Sequence, residues 1–151
     1  MTLLVPFDGS DLSKAALARA NEYASSTGAE IVALTVVPDD PDYARERGWL
    51  APPDTFDVDV VARKLEQTVR DVAPDATFRS ELAEEAEQPT STTVDVVRTI
   101  RRVAAEVDAT VLFVGSENAG RVSVPLASVG NPIAEDTQYD VFIVRHPRSD
   151  E

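Results

Sequence analysis

The chain contains no cysteine, so disulfides, thiolate metal ligands and thiol nucleophiles are excluded. Its one histidine, His146, sits between Arg145 and Pro147. A lone imidazole does not make a metal site, and no further ligands are spaced to help it. No serine has a recognisable histidine partner, so the sequence presents no catalytic machine and His146 reads as a surface residue. Long apolar runs are also missing. Nothing approaches the roughly 18 residues of a membrane span, and the start lacks the basic-then-apolar layout of a signal peptide. The expectation is a cytoplasmic protein that makes no membrane contact. No internal repeat or low-complexity tract is present.

Positive charge is scarce as well. Twenty-seven acidic residues face fourteen basic ones, for a net charge of -13, and only Lys14 and Lys64 are lysine. Neutralising nucleic-acid phosphates requires a basic face, so nucleic-acid binding is excluded as a role. A net charge this large destabilises a compact domain by self-repulsion in dilute buffer. Near 1 M salt the Debye length falls to about 3 Å and the repulsion is screened. The composition therefore reads as that of a halophile with molar salt in its cytoplasm, ahead of an ordinary acidic protein. The acidic run Glu81, Glu84, Glu85 and Glu87 reads as a solvated face.

What is present is the make-up of one α/β domain. The 151 residues, 43% of them hydrophobic, suit a single core over residues 1–147 with a polar tail at 148–151. Apolar runs at Leu3 to Phe7, Glu30 to Val37, Ala109 to Val114 and Val141 to Arg145 read as strands, with a weaker one at Thr77 to Ala83. Helical spacing predicts helices from about Leu12 to Ser26, from Asp57 as N-cap to about Val72, from Val94 to Val107 and from Leu126 to Asp136. Ser10 or Asp11 caps the first of these, and Gly28 ends it. The Pro- and Asp-rich stretch from Pro38 to Thr55, which contains Trp49, reads as a long loop or flap. Residues 84–92 read as an acidic turn. Strands separated by helices imply right-handed crossovers, a mostly parallel sheet and a three-layer α/β sandwich.

Two glycine-serine turns stand out. Leu3-Leu4-Val5-Pro6-Phe7 ends in Asp8-Gly9-Ser10, and Val111-Leu112-Phe113-Val114 ends in Gly115-Ser116. In an open α/β sheet, ligands bind outside the carboxyl ends of the strands, so the two turns suggest one shared cleft. Asp8 can accept hydrogen bonds from a ribose or base, or it can brace the Gly9 turn. The loop Gly115-Ser116-Glu117-Asn118-Ala119-Gly120 can present backbone N–H groups to a phosphate, with Ser128 and Arg121 in support, or can be a plain connection. Val141, Phe142, Ile143 and Val144 form the last strand. It either pairs with a second copy across a two-fold axis or lies buried in a monomer.

With these residues in view, the chain resembles the universal stress protein family over nearly its whole length. Four pieces carry the likeness in order: Leu4-Val5-Pro6-Phe7-Asp8-Gly9-Ser10 with Ser13 and Ala16, Val111-Leu112-Phe113-Val114-Gly115-Ser116, Ala127-Ser128-Val129, and Val141-Phe142-Ile143-Val144-Arg145. The resemblance implies a five-stranded parallel sheet in order 3-2-1-4-5, of the adenine nucleotide alpha hydrolase-like type. It also implies a homodimer joined through the fifth strands. In nucleotide-binding members the adenine end is held after the first and second strands, which assigns that role to Pro6, Asp8 and Val36. Ribose and phosphates of ATP or AMP then fall to Val114, Gly115, Ser116, Ser128 and Val129.

The glycine loop departs from the family's Gly-x2-Gly-x9-Gly-Ser pattern. Asn118 stands at the second glycine, Ala127-Ser128 replaces Gly-Ser, the loop is one residue short, and Asp140 takes the place of the usual proline before the last strand. A Cβ at position 127 obstructs close approach of backbone to phosphate. Three functions are therefore expected in order: a non-enzymatic stress-response module that binds an adenine nucleotide, a dimeric interaction module with an empty cleft, and a slow ATP hydrolase. The sequence does not name the metal, the stress signal or the protein partners.

Overall fold

The computed structural model describes residues 1–50, 56–83, 92–116 and 139–147. Nine elements follow one another in these residues: β1 (Thr2–Pro6), α1 (Asp11–Thr27), β2 (Glu30–Val37), α2 (Pro41–Glu46), α3 (Val58–Val72), β3 (Thr77–Leu82), α4 (Thr92–Glu106), β4 (Ala109–Gly115) and β5 (Asp140–Val144). The sheet has five parallel strands in order β3-β2-β1-β4-β5, the order the resemblance implied.

The continuous apolar runs are explained by burial on both faces. Alternate residues of a strand point to opposite sides. Leu3, Val5 and Phe7 pack with Ala16, Leu17 and Ala20 of α1 and Val61, Leu65 and Val69 of α3. Leu4, Leu34, Leu112 and Val114 pack instead with Val97, Ile100, Val103 and Ala104 of α4. A fully buried Leu or Val contributes about 1.5–3 kcal/mol, so these two apolar layers dominate stability. Thr35, buried among them, satisfies its hydroxyl by donating to the Phe7 carbonyl at 2.9 Å.

The helix ends follow local chemistry. Ser10 Oγ accepts from the Ser13 N–H at 3.2 Å, and the Gly28 N–H donates to the Ala24 carbonyl at 2.8 Å. Asp57 Oδ1 accepts from the N–H groups of Asp59 and Val60.

Three readings change. The expected flap from Pro38 contains the short helix α2, whose N-cap Asp40 accepts from the N–H groups of Asp42 and Tyr43 ahead of Pro41 at the first turn. Trp49 is only 7% exposed and belongs to the main core with Tyr43, Ala44 and Leu50, so these four residues anchor the stretch from 41 to 50. Glu81 is not on a free solvated face. It accepts from Arg79 of its own strand at 3.2 Å and from Arg102 of α4 at 2.9 Å. Glu84, Glu85 and Glu87, the turn at 84–91, residues 51–55, the expected helix from Leu126 to Asp136 and the polar tail lie outside the described residues.

Candidate functional site

The chain leaves β1 through a turn built on Asp8. Asp8 Oδ1 accepts from the Ser10 N–H at 2.9 Å, which braces the turn, and Gly9 supplies the left-handed backbone at φ +83 that it requires. A Cβ on Gly9 would also approach Leu65 Cδ2 to 2.9 Å. The Asp8 carbonyl accepts from Trp49 Nε1–H at 2.7 Å. Asp8 Oδ2 lies 3.6 Å from Arg47 Nε, with both side chains about a quarter exposed. The Arg47 guanidinium lies over the Tyr43 ring at 3.6 Å from its centroid, and Tyr43 packs at a tilt against Trp49 at 5.7 Å. Asp8 is therefore both a brace and the partner of a cation held by aromatic stacking.

Gly115 works differently. It is the last residue of β4 and sits opposite Val144 of β5. Its backbone stays out of the left-handed region, so it ends the strand rather than making the sharp turn expected of it. A Cβ there would stand 2.8 Å from Leu12 Cβ in the first turn of α1. Glycine lets the end of β4 and the start of α1 approach closely.

The predicted site residues divide cleanly. Pro6 ends β1 opposite Leu34, half-buried. Val36 lies near the end of β2, its side chain buried on the α4 side, where Val114 is also buried. Ser116 follows Gly115 and is exposed. Since β2, β1 and β4 are parallel neighbours, Pro6, Asp8, Val36, Val114, Gly115 and Ser116 share the carboxyl edge of three adjacent strands. Ser128, Val129, Asn118, Arg121 and Ala127 lie outside the described residues. His146 is exposed, as expected.

Sequence reasoning missed Arg47, Tyr43 and Trp49 as neighbours of Asp8. The Trp49 contact spans 41 positions, and no local pattern announces it. Among the described residues no group of three or more His, Cys, Asp or Glu is placed to hold a metal ion, and no helix is long and apolar enough to cross a membrane.

The chain belongs to the universal stress protein family, whose model matches residues 1–145. Among solved structures it is similar to a universal stress protein in complex with cAMP, at 25% identity and TM-score 0.53 over 98% of each chain. It is also similar to a family member from Burkholderia pseudomallei, at 20% identity and TM-score 0.51 over 96% of each chain. A third is the universal stress protein from Archaeoglobus fulgidus in complex with dAMP, at 18% identity and TM-score 0.53 over 96% of this chain and 98% of that one. The latter two likenesses carry the fold alone. No curated protein matches the sequence.

Proposed function

We propose that this family member is a non-enzymatic regulatory module whose cleft, at the carboxyl ends of β2, β1 and β4, accepts an adenine nucleotide. The observation that carries the reading is the 25%-identical relative in complex with cAMP, matched over 98% of both chains. Asp8 and the backbone at Val36 receive the adenine end, and Ser116 with the backbone beyond Gly115 receives ribose and phosphate. Mononucleotides are favoured over ATP, because Asn118 and Ala127 stand where the triphosphate pattern has glycine. The module works as a homodimer through β5, where Phe142 and Ile143 are 42% and 46% exposed. Its setting is a cytoplasm rich in salt, which the net charge of -13 suits.

A second reading, an interaction module with an empty cleft, is favoured by a specific pair of contacts. Both Asp8 oxygens already face partners, and Leu12 accounts for the glycine at 115 without any phosphate.

Thermal unfolding in molar KCl separates the two. A ligand that binds only the folded state stabilises it by about 2.7 kcal/mol at a hundred times its Kd. AMP and cAMP are expected to raise Tm, and ATP to raise it less. No shift with any of the three at millimolar concentration selects the interaction module. Phosphate release from ATP is expected to stay at background.

A further inference from the structure

A cavity of about 190 Å³ opens between α1 and α3, beside the Asp8–Gly9 turn. Both lysines of the chain line it, Lys14 from α1 and Lys64 from α3. Arg47 completes the set, and Asp8 is the one carboxylate among the lining residues. Three cationic residues thus line one opening in a protein of net charge -13.

The two lysines are not consumed by the surrounding acids. Arg45, Arg47, Arg70, Arg79, Arg98 and Arg102 each pair with a carboxylate, whereas no ion pair of the described residues uses Lys14 or Lys64. Arg47 Nε is buried, makes no hydrogen bond, and stands off Asp8 at 3.6 Å. Stacking on Tyr43 fixes the plane of its guanidinium, which reduces the ordering cost of gripping an oxyanion. Trp49, Val61 and Leu65 supply an apolar wall.

Size narrows the ligand. The cavity exceeds the roughly 150 Å³ that holds a benzene ring but falls short of the roughly 300–1,000 Å³ of drug-sized sites. It has room for a phosphate group carrying a few carbons. We propose that this cavity is a binding site for a small phosphorylated compound, adjoining the adenine cleft at Asp8, which borders both. Hydrogen bonds between cationic donors and an oxyanion are short-range and about twice as strong as neutral ones, so they act even where molar salt screens distant charges.

Trp49, the only tryptophan, lines the cavity and reports on it directly. The experiment titrates the protein in molar KCl with inorganic phosphate and, separately, with glycerol phosphate, following heat and Trp49 emission. Saturable binding is expected. Tighter binding of the ester identifies a phosphorylated metabolite as the ligand, and equal or tighter binding of the inorganic ion identifies free phosphate; either outcome supports the site. Replacing both exposed lysines, Lys14→Gln with Lys64→Gln, is expected to weaken binding about tenfold or more with the fold intact by circular dichroism. Arg19→Gln with Arg63→Gln changes the net charge equally at positions off the cavity, and binding is expected to hold. No saturable heat with either anion overturns the proposal. So does a lysine double variant that binds like the parent, or an arginine control that loses as much. AMP binding is measured separately, so a failure here leaves the adenine cleft standing.

Discussion

A methyl group at position 115 would stand 2.8 Å from the Cβ of Leu12, closer than packed Cβ atoms come. The atom met is attached directly to the Leu12 backbone, so rotating the leucine gives no relief. Gly115→Ala is therefore expected to destabilise the protein by about 1–3 kcal/mol, the usual cost of overpacking. Adding Leu12→Ala is expected not to restore stability, because alanine keeps the offending Cβ. Urea denaturation in molar KCl checks both, and an unchanged midpoint for Gly115→Ala refutes the account. The same contact bears on any nucleotide test that places valine at 115: a loss of binding there reports displacement of α1 as well as obstruction of the cleft. At Asp8 the issue is competition. A ligand that takes the Oδ2 oxygen must share it with Arg47, 3.6 Å away and held in place by Tyr43.

Between elements, β3 and α4 are joined by a ring of four charges. Arg79 pairs with Glu81 and Glu106, and Arg102 pairs with Glu81 at 2.9 Å and Glu106 at 2.8 Å. The hydrogen bond from Arg102, followed by that from Arg79, holds the Glu81 carboxyl below the usual carboxylate range against the opposing effect of burial. Glu106 is lowered chiefly by its hydrogen bond from Arg79. A carboxylate with a depressed folded pKa contributes stability above its unfolded value, about 4.3 for Glu, and that stability is lost as pH falls through the folded value. Glu81→Gln is therefore expected to be less stable than the parent near neutrality by up to about 1 kcal/mol, since these partly exposed pairs are screened by solvent. The gap closes as the buffer is acidified below about pH 4. Denaturant midpoints against pH give the test, and a gap that persists in acid assigns the loss to packing.

Elements also show what could be read in advance. The central strands and the helices α1, α3 and α4 were legible because each buries a full face, and burial writes a period into the sequence. The helix α2 was not, since six residues complete fewer than two turns and leave no period. Its start signal was present all the same, an Asp40 N-cap followed by Pro41, inside the stretch that reads as a loop or flap. At the site, Asp8 and Gly115 were legible as the ends of apolar runs on neighbouring strands. Arg47 and Trp49 reach Asp8 only through the tertiary fold, and the reason for glycine at 115 lies in Leu12, on a different element.

For the whole molecule, the net charge of -13 acts on folding and on association together. In the proposed β5 dimer two such charges would come into contact, and the apolar surface available to oppose the repulsion includes Phe142 and Ile143, with Phe142 stacked on Phe113 at 4.7 Å. Raising salt weakens the exposed β3–α4 ion pairs, while it relieves repulsion summed over the entire surface. In the proposed salt-rich setting the second effect is the larger, so Tm is expected to climb from dilute buffer to molar KCl, at about 2–4 °C for each kcal/mol recovered in a chain of this size. Light scattering over the same series is expected to pass from monomer mass to dimer mass. Ile143→Lys places a cation in the shared strand and is expected to hold the protein at monomer mass even in molar KCl, with Tm still rising because self-repulsion within each copy remains. A monomer mass for the parent at every salt concentration removes the β5 dimer. A Tm that falls with KCl removes the salt-adapted setting.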